Sequence, residues 1–261
     1  MNRRPIVVTR AGDAGEDLAR LLAEAGEESL WLPAFVFGPA PDESRATEVL
    51  GRVSAYQLAI FVSPAAVEAT AARLTQPWPS GTAMAAVGEG TRRAILARIP
   101  AAVGAPLFAP PEGIDAEGEG GGSEALWQVL RPVVGHTPRA LILRARHGRE
   151  WLAEQLAGAG VEVETLAVYT RQPAPVSPEA TARIRGWKAA GQTAVLVVAS
   201  SEAVETLISQ LDPIVGTDWT LSAFALASHE RIAQRLRVAG FAEVKVATSD
   251  VEAIRKATFA K

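Results

Sequence analysis

The residues best equipped for chemistry in this chain are hydroxyls, arginines and glycines placed where short apolar runs give way to helical patterns. They are Thr9-Arg10, Ser63-Pro64, Gly88 to Thr91, Arg144 to Arg149 with Gly148 inside it, Ser200-Ser201, and Ser228 to Arg231. Ligands of open α/β sheets sit beyond the carboxyl ends of the strands, which is where these turns fall. Each turn offers free backbone N–H groups at a helix start, where the dipole favours negative charge. Such a ring of donors suits a ligand with many carboxylates. Each residue also has a purely structural alternative. Ser63, Ser200 and Ser228 are well placed as N-caps, and Thr91 can cap its own helix. Arg10 and Arg144 can form surface ion pairs, while Gly88 and Gly90 can serve a tight turn. Tyr169, one of two tyrosines, stands where an extended segment leaves its strand. It is either a core residue or a phenol that donates a hydrogen bond or a proton, since phenols are protonated at neutral pH.

Other chemistries find little support. His136, His147 and His229 lie far apart with no His-x-x-x-His spacing, and no cysteine is present for a metal site, thiolate or disulfide. No Gly-x-Ser-x-Gly elbow exists, and VGEGTRR lacks the third glycine of a dinucleotide fingerprint. The Gly- and acid-rich stretch Glu112 to Ser123 neither follows a strand nor carries Lys-Ser/Thr, so it reads as a mobile surface loop. A net charge of −3 with no Lys/Arg block argues against a nucleic-acid partner. Apolar runs such as Val195 to Ala199 fall far short of the roughly 20 residues that span a membrane. The chain opens on a strand-like run without a leader pattern, and the expectation is a cytoplasmic protein with no membrane partner.

Positioning these residues falls to a repeated scaffold. Val7 to Gly26 aligns without gaps on Leu141 to Gly160, matching Arg10 with Arg144, Glu16 with Glu150, Leu18 with Leu152, Leu22 with Leu156 and Gly26 with Gly160. Ala59 to Leu74 aligns on Leu196 to Leu211, matching Ser63 with Ser200 and Glu68 with Glu205. The period is far too long for a solenoid and marks a duplicated domain-sized unit. Leu18, Leu21, Leu22 and Ala25 predict one buried helical face, as do Leu152, Leu156 and Ala159, with Gly26 and Gly160 as stops. Short apolar strands alternating with helices predict α/β architecture with parallel sheets, arranged as two doubly wound, flavodoxin-like lobes. The proline-punctuated stretches 30–41 and 166–178 read as connectors. If the chain crosses between lobes at both, residues 1–34 with 175–261 form one lobe and 38–166 the other. Two consecutive lobes divided near residue 115 remain the plainer alternative. A cleft between similar halves is the expected ligand site.

IVVTR, FVSPAAV, AAVGEGT, LILRARHGREWLAEQL leading into VEVETLAVYTRQP, ASSEAVETL and ALASHERIAQRLRVAGF together resemble the uroporphyrinogen-III synthase family, in order and spacing over nearly the whole chain. The resemblance implies two lobes joined by a two-stranded connector. It implies an enzyme, free of metal or organic cofactor, that takes linear hydroxymethylbilane. The reaction expels the hydroxyl as water and closes the macrocycle with inversion of ring D, in tetrapyrrole (haem) biosynthesis. Matched residue by residue, Tyr169 corresponds to the tyrosine of the family's second connector and is expected to assist hydroxyl departure. Thr91 corresponds to the threonine of the glycine-containing turn. Ser228 falls near the hydroxyl of the last turn, where SHER stands in this chain. Thr9, Arg10, Ser63, Gly88, Arg144, Gly148, Arg149, Ser200, Ser201 and Arg231 are expected to bind substrate, and the family expectation is a monomer. Two other classes compete: a non-catalytic two-lobed protein that binds a small anion, and a regulatory protein with a synthase-like body.

Overall fold

The computed structural model describes residues 4–99, 104–111 and 121–259. The strands in chain order are β1 (Ile6–Val8), β2 (Ser29–Trp31), β3 (Phe35–Gly38), β4 (Leu58–Phe61), β5 (Ala83–Ala86), β6 (Leu107–Phe108), β7 (Arg139–Ala145), β8 (Glu162–Pro173), β9 (Val195–Val198), β10 (Phe224–Ala227) and β11 (Glu243–Val246). The helices are α1 (Asp13–Glu24), α2 (Glu43–Gly51), α3 (Pro64–Ala71), α4 (Glu89–Arg98), α5 (Gly121–Leu130), α6 (Trp151–Gly158), α7 (Pro178–Ala189), α8 (Ala203–Val215), α9 (Thr217–Leu221), α10 (Glu230–Val238) and α11 (Val251–Phe259). The chain divides into two compact units, Met1–Val36 with Gln172–Lys261, and Phe37–Arg171. Among the described residues, no helix is long and apolar enough to cross a membrane.

The first unit is built on a parallel sheet of order β11-β10-β9-β1-β2. Successive strand residues face opposite sides. Val7, Leu196, Val198 and Ala225 pack under α7, α8 and α10, while Ile6, Val8, Val195, Val197 and Leu226 pack under α1 and α11. The second unit has the order β3-β8-β7-β4-β5-β6, with β4 to β8 parallel. Ala59, Phe61, Met84, Leu141 and Leu143 face α2, α3 and α4, and Leu58, Ile60, Ala85, Ala140 and Ile142 face α5 and α6. Helices on both faces explain why these strands are apolar at nearly every position.

Numbered within the first unit, the strands lie in the flavodoxin-like order 2-1-3-4-5. The second unit gives the same order when the count starts at β7 and wraps from β8 to β4. The duplication therefore pairs β1-α1 with β7-α6 and β9-α8 with β4-α3, as the two sequence matches do. Both copies of the first strand–helix pair also end alike. Gly26 and Gly160 adopt φ of 82° and 86°, and the next amides, Glu27 N and Val161 N, reach back to Leu22 O and Leu156 O at 3.0 and 3.1 Å. This six-to-one closure requires the left-handed backbone that glycine supplies.

Several expectations need correction. Leu21 is 43% exposed, and the buried stripe of α1 is Gly15, Leu18, Ala19 and Leu22. Ala159 is exposed too. The proline-rich stretches hold the unit boundaries at 36/37 and 171/172, and they carry two neighbouring strands, β3 and β8, at the edge of the second sheet. Their contacts run in opposite directions: Ala174 N bonds Ala34 O at 3.0 Å, whereas Thr170 Oγ1 bonds Pro39 O at 3.2 Å. Pro178, read as the end of a connector, is the first residue of α7, and Ser177 is its N-cap. Of the expected surface loop 112–123, residues 112–120 lie outside the described residues, and Gly121 to Ser123 begin α5.

One contact sets how tightly the first turn closes. Arg10 O accepts Trp31 Nε1 at 2.8 Å, and a Cβ on Gly15 would sit 1.9 Å from that same oxygen and 2.9 Å from the indole nitrogen. Gly15→Ala is expected to destabilise the protein by about 1–3 kcal/mol, as overpacking does; an unchanged urea midpoint would mean the turn yields freely.

The strand that carries Tyr169 is anchored at its other end. Tyr56, fully buried just before β4, donates its hydroxyl to Glu164 of β8. Arg52 and Arg45 pair with the same carboxylate at 3.4 and 3.3 Å. Burial first, then the bond to Glu164, pushes the Tyr56 phenol up to about 12 from 10.0. A group raised on folding contributes stability that is complete below the unfolded value and lost as pH climbs through the folded one. The wild type is thus expected to lose stability above about pH 10, approaching the full loss near pH 12. Urea midpoints across that window should fall less steeply for Tyr56→Phe, and equal slopes would remove Tyr56 from the effect.

Candidate functional site

In the second unit the strand order reverses between β7 and β4, the position at which open α/β sheets bind ligands. Ser63 follows β4 and caps α3: its backbone is extended, Pro64 takes the first helical position, and Oγ accepts Ala66 N at 3.1 Å. The same Oγ lies 3.0 Å from the Tyr169 hydroxyl. Capping and site geometry thus coexist in one side chain.

Tyr169 reaches that place through a bulge in β8. Arg144 pairs with Ala167, but the next residue, Ala145, pairs with Tyr169, leaving Val168 extra. Strict alternation would separate Val168 and Tyr169 onto opposite faces. Both instead join Leu166 in one core cluster, at 0% and 2% exposure. The ring meets Phe37 of β3 edge-on, centroids 5.4 Å apart at 86°. Two residues on along the strand, Arg171 returns to the same oxygen, with Nη2 donating to the phenol at 3.2 Å.

Next to this group lie the Gly88 to Thr91 residues. Gly88 is the cap residue of α4 with an extended backbone and no side-chain cap bond. Thr91 lies inside the helix at 3% exposure and does not cap it. A Cβ on Gly90 would lie 3.9 Å from Pro64 Cγ, so the starts of α3 and α4 adjoin. The β7 turn is organised differently. Arg144 is 5% exposed, and its Nη1 bonds Glu150 Oε1 at 2.7 Å and Arg149 O at 3.3 Å. A Cβ on Gly148 would approach Arg144 Nη2 to 2.6 Å, so glycine leaves room for the guanidinium. Arg149 in turn pairs with Glu124 at 2.5 Å. Both arginines are committed to neighbours within the loop and α5.

In the first unit the reversal lies between β1 and β9. Thr9, 2% exposed, donates Oγ1 to Val197 O at 2.7 Å, and its amide bonds the same carbonyl at 3.2 Å. Arg10 is exposed and makes no ion pair among the described residues, unlike its repeat partner Arg144. Ser200 and Ser228 are not caps, because Glu202 and His229 hold those positions for α8 and α10. Ser200 O accepts Ala203 N at 3.1 Å, and Ser228 N bonds Val198 O at 3.1 Å. The hydroxyls of Ser201 and Ser228 are buried without a protein partner among the described residues. Arg231, exposed on the first turn of α10, makes no ion pair among the described residues.

Reading the sequence missed Arg171 and Phe37. The signal for Arg171 was available, because Tyr-x-Arg on a strand places both side chains on one side. Nothing in the sequence pointed to Phe37, whose contact depends on β3 pairing with β8.

Comparison with known proteins fits this geometry. The family model described as "Uroporphyrinogen-III synthase HemD" matches residues 16–254. The uroporphyrinogen-III synthase of Escherichia coli K12 is 29% identical over 258 residues, covering 97% of this chain and 98% of that protein. That of Salmonella typhimurium is 30% identical, with the same coverage. Among solved structures, the Helicobacter pylori uroporphyrinogen-III synthetase superposes with a TM-score of 0.60 at 13% identity, covering 99% of each chain. A mutant uroporphyrinogen III synthase from Thermus thermophilus gives 0.56 at 20% identity, covering 98% of this chain and 97% of that one. At such identities the structures speak for the fold alone; with the family model and the bacterial relatives, the chain belongs to the uroporphyrinogen-III synthase family.

Proposed function

We propose that this chain closes linear hydroxymethylbilane into uroporphyrinogen III, with loss of the terminal hydroxyl as water and inversion of ring D. The observation that carries the reading is the Tyr169 phenol, held at the carboxyl end of β8 by Ser63 on one side and Arg171 on the other. Hydroxyl loss is driven by the electron-rich pyrrole and leaves an electrophilic azafulvene. The far end of the bilane attacks it through a substituted carbon, and the resulting spirocycle fragments and recloses. Free bilane closes without inversion, so the protein's main task is to hold both ends in one geometry, an effect worth several kcal/mol. Tyr169 supplies the proton that turns the departing hydroxyl into water.

The remaining groups are assigned to the substrate's carboxylates. Ser201 and Ser228 bring hydroxyls without protein partners among the described residues, and Arg10 and Arg231 bring exposed cations. Thr9, Ser200, Gly88 and Thr91 form the turns that present backbone amides. Arg144, Gly148 and Arg149 act by shaping the β7 turn, because both guanidiniums already hold carboxylates. The reading carries with it a monomer that works in the cytoplasm without a cofactor.

Incubation with hydroxymethylbilane, followed by oxidation and separation of porphyrin isomers, is expected to give mainly the type III isomer; type I alone would refute the reading. Tyr169→Phe should slow type III formation by about ten-fold or more, since a positioned proton donor contributes ~10²–10⁴. An unchanged rate in a folded variant would take Tyr169 out of the mechanism.

A further inference from the structure

We propose that Arg171 is a positioning residue that acts through Tyr169, fixing which way the phenol proton points and stabilising the phenolate left when that proton departs. The inference rests on the synthase reading above and deepens it. A phenol oxygen has one hydrogen and accepts on its remaining lone pairs. Arg171 Nη2 fills one acceptor direction at 3.2 Å. Ser63 Oγ, at 3.0 Å, can either donate to the phenol or accept from it. Ser63 already accepts Ala66 N, so its own hydrogen is free to donate. In the arrangement where Ser63 and Arg171 both donate, the phenol hydrogen has no protein acceptor among the described residues and is directed at a ligand.

The placement follows from the strand. Tyr169 and Arg171 are two residues apart on β8, past the bulge, so both side chains leave on the same side. The guanidinium carbon lies 5.8 Å from the ring centroid, close enough to favour the ring face while Nη2 reaches the oxygen. Phe37 holds the ring edge-on from β3, which limits rotation of the phenol out of reach.

The proton step balances. The hydroxymethyl C–O bond breaks with its electron pair going to oxygen, the phenol proton joins that oxygen to form water, and the pyrrole nitrogen lone pair satisfies the carbon as an azafulvenium. A phenolate remains beside the Arg171 cation. When the new carbon–carbon bond forms, the attacking ring carries a surplus proton, and its loss restores the phenol. Arg171 neither gains nor loses a proton at any stage.

A double-mutant cycle tests this, with kcat and KM for type III formation measured for wild type, Arg171→Ala, Tyr169→Phe and the double variant. Arg171→Ala is expected to lower kcat by about ten-fold, the size expected of a bond from a charged donor, with KM changed by no more than about two-fold. In the Tyr169→Phe background the same substitution should change kcat by less than about two-fold, because no hydroxyl is left to orient. Arg171→Lys should recover part of the rate as a point charge without the planar fork. Equal losses in both backgrounds, or a change confined to KM, would overturn the proposal. Failure of the wild type to make the type III isomer would instead refute the underlying reading. Thermal midpoints for each variant show whether all five proteins are folded.

Discussion

The structure depends on one long-range parallel pairing, β1 against β9, in register from Ile6 with Val195 to Val8 with Val197. Thr9 extends it by placing both its amide and its hydroxyl on Val197 O. Parallel neighbours cannot be joined by a hairpin; each connection needs a crossover, supplied by helices within each unit and, on the way back to β9, by the second unit with α7. The constraint has a functional result. Every helix after a parallel strand starts at the same rim, so amides, hydroxyls and arginines from distant parts of the sequence gather at one end of each sheet. The second unit repeats this arrangement with β7 and β4 in the equivalent roles.

Identical residues at equivalent rims have taken different roles. Arg144 and Arg10 match in sequence, as do Glu150 and Glu16. Arg144 is buried and bonded to Glu150, with Gly148 making room for it. Arg10 stays exposed, and it is its carbonyl that is held, by Trp31. The two tyrosines show a similar division within one sheet. Tyr56 locks the amino end of β8 through Glu164, whereas Tyr169 closes the carboxyl end. One fixes the strand, and the other is presented by it.

Much of this was readable from the sequence because strands covered on both faces leave unbroken apolar runs, and glycine stops such as Gly26 and Gly160 need a particular backbone. The repeat made the duplicated scaffold legible as two pairs of aligned strand–helix segments. What stayed hidden lacked a one-dimensional signal. The edge strand β11, EVKV, is mostly exposed and carries no apolar run. The α7 start was obscured because Ser177-Pro178, a cap and first helical residue, also ends a proline-rich stretch. Leu21 fits the helical period and still faces solvent, while Gly15, Leu18, Ala19 and Leu22 form the buried side of α1. At the site, Tyr169 and Ser63 were legible as candidates, but their meeting was not. That contact depends on a bulge at Val168, which no residue pattern announces. Ser200 and Ser228 looked like caps for the same reason Ser63 did, but α8 and α10 begin later, after Glu202 and His229.

The antiparallel passage of β3 beside β8 has a consequence for the order of folding. Val36 and Gln172 are separated by the whole second unit, yet Ala34 and Ala174 are hydrogen-bonded neighbours. Closing a flexible loop costs free energy that grows as about (3/2)RT ln n. A folded insert whose two ends already lie side by side shortens the effective loop to that of a hairpin. During synthesis the β1-α1-β2 stub emerges first, but the partners of its open edge, β9 to β11, are made last. An insert that leaves residues 34 and 174 hydrogen-bonded lowers the entropic cost of bringing the late strands back to the early one.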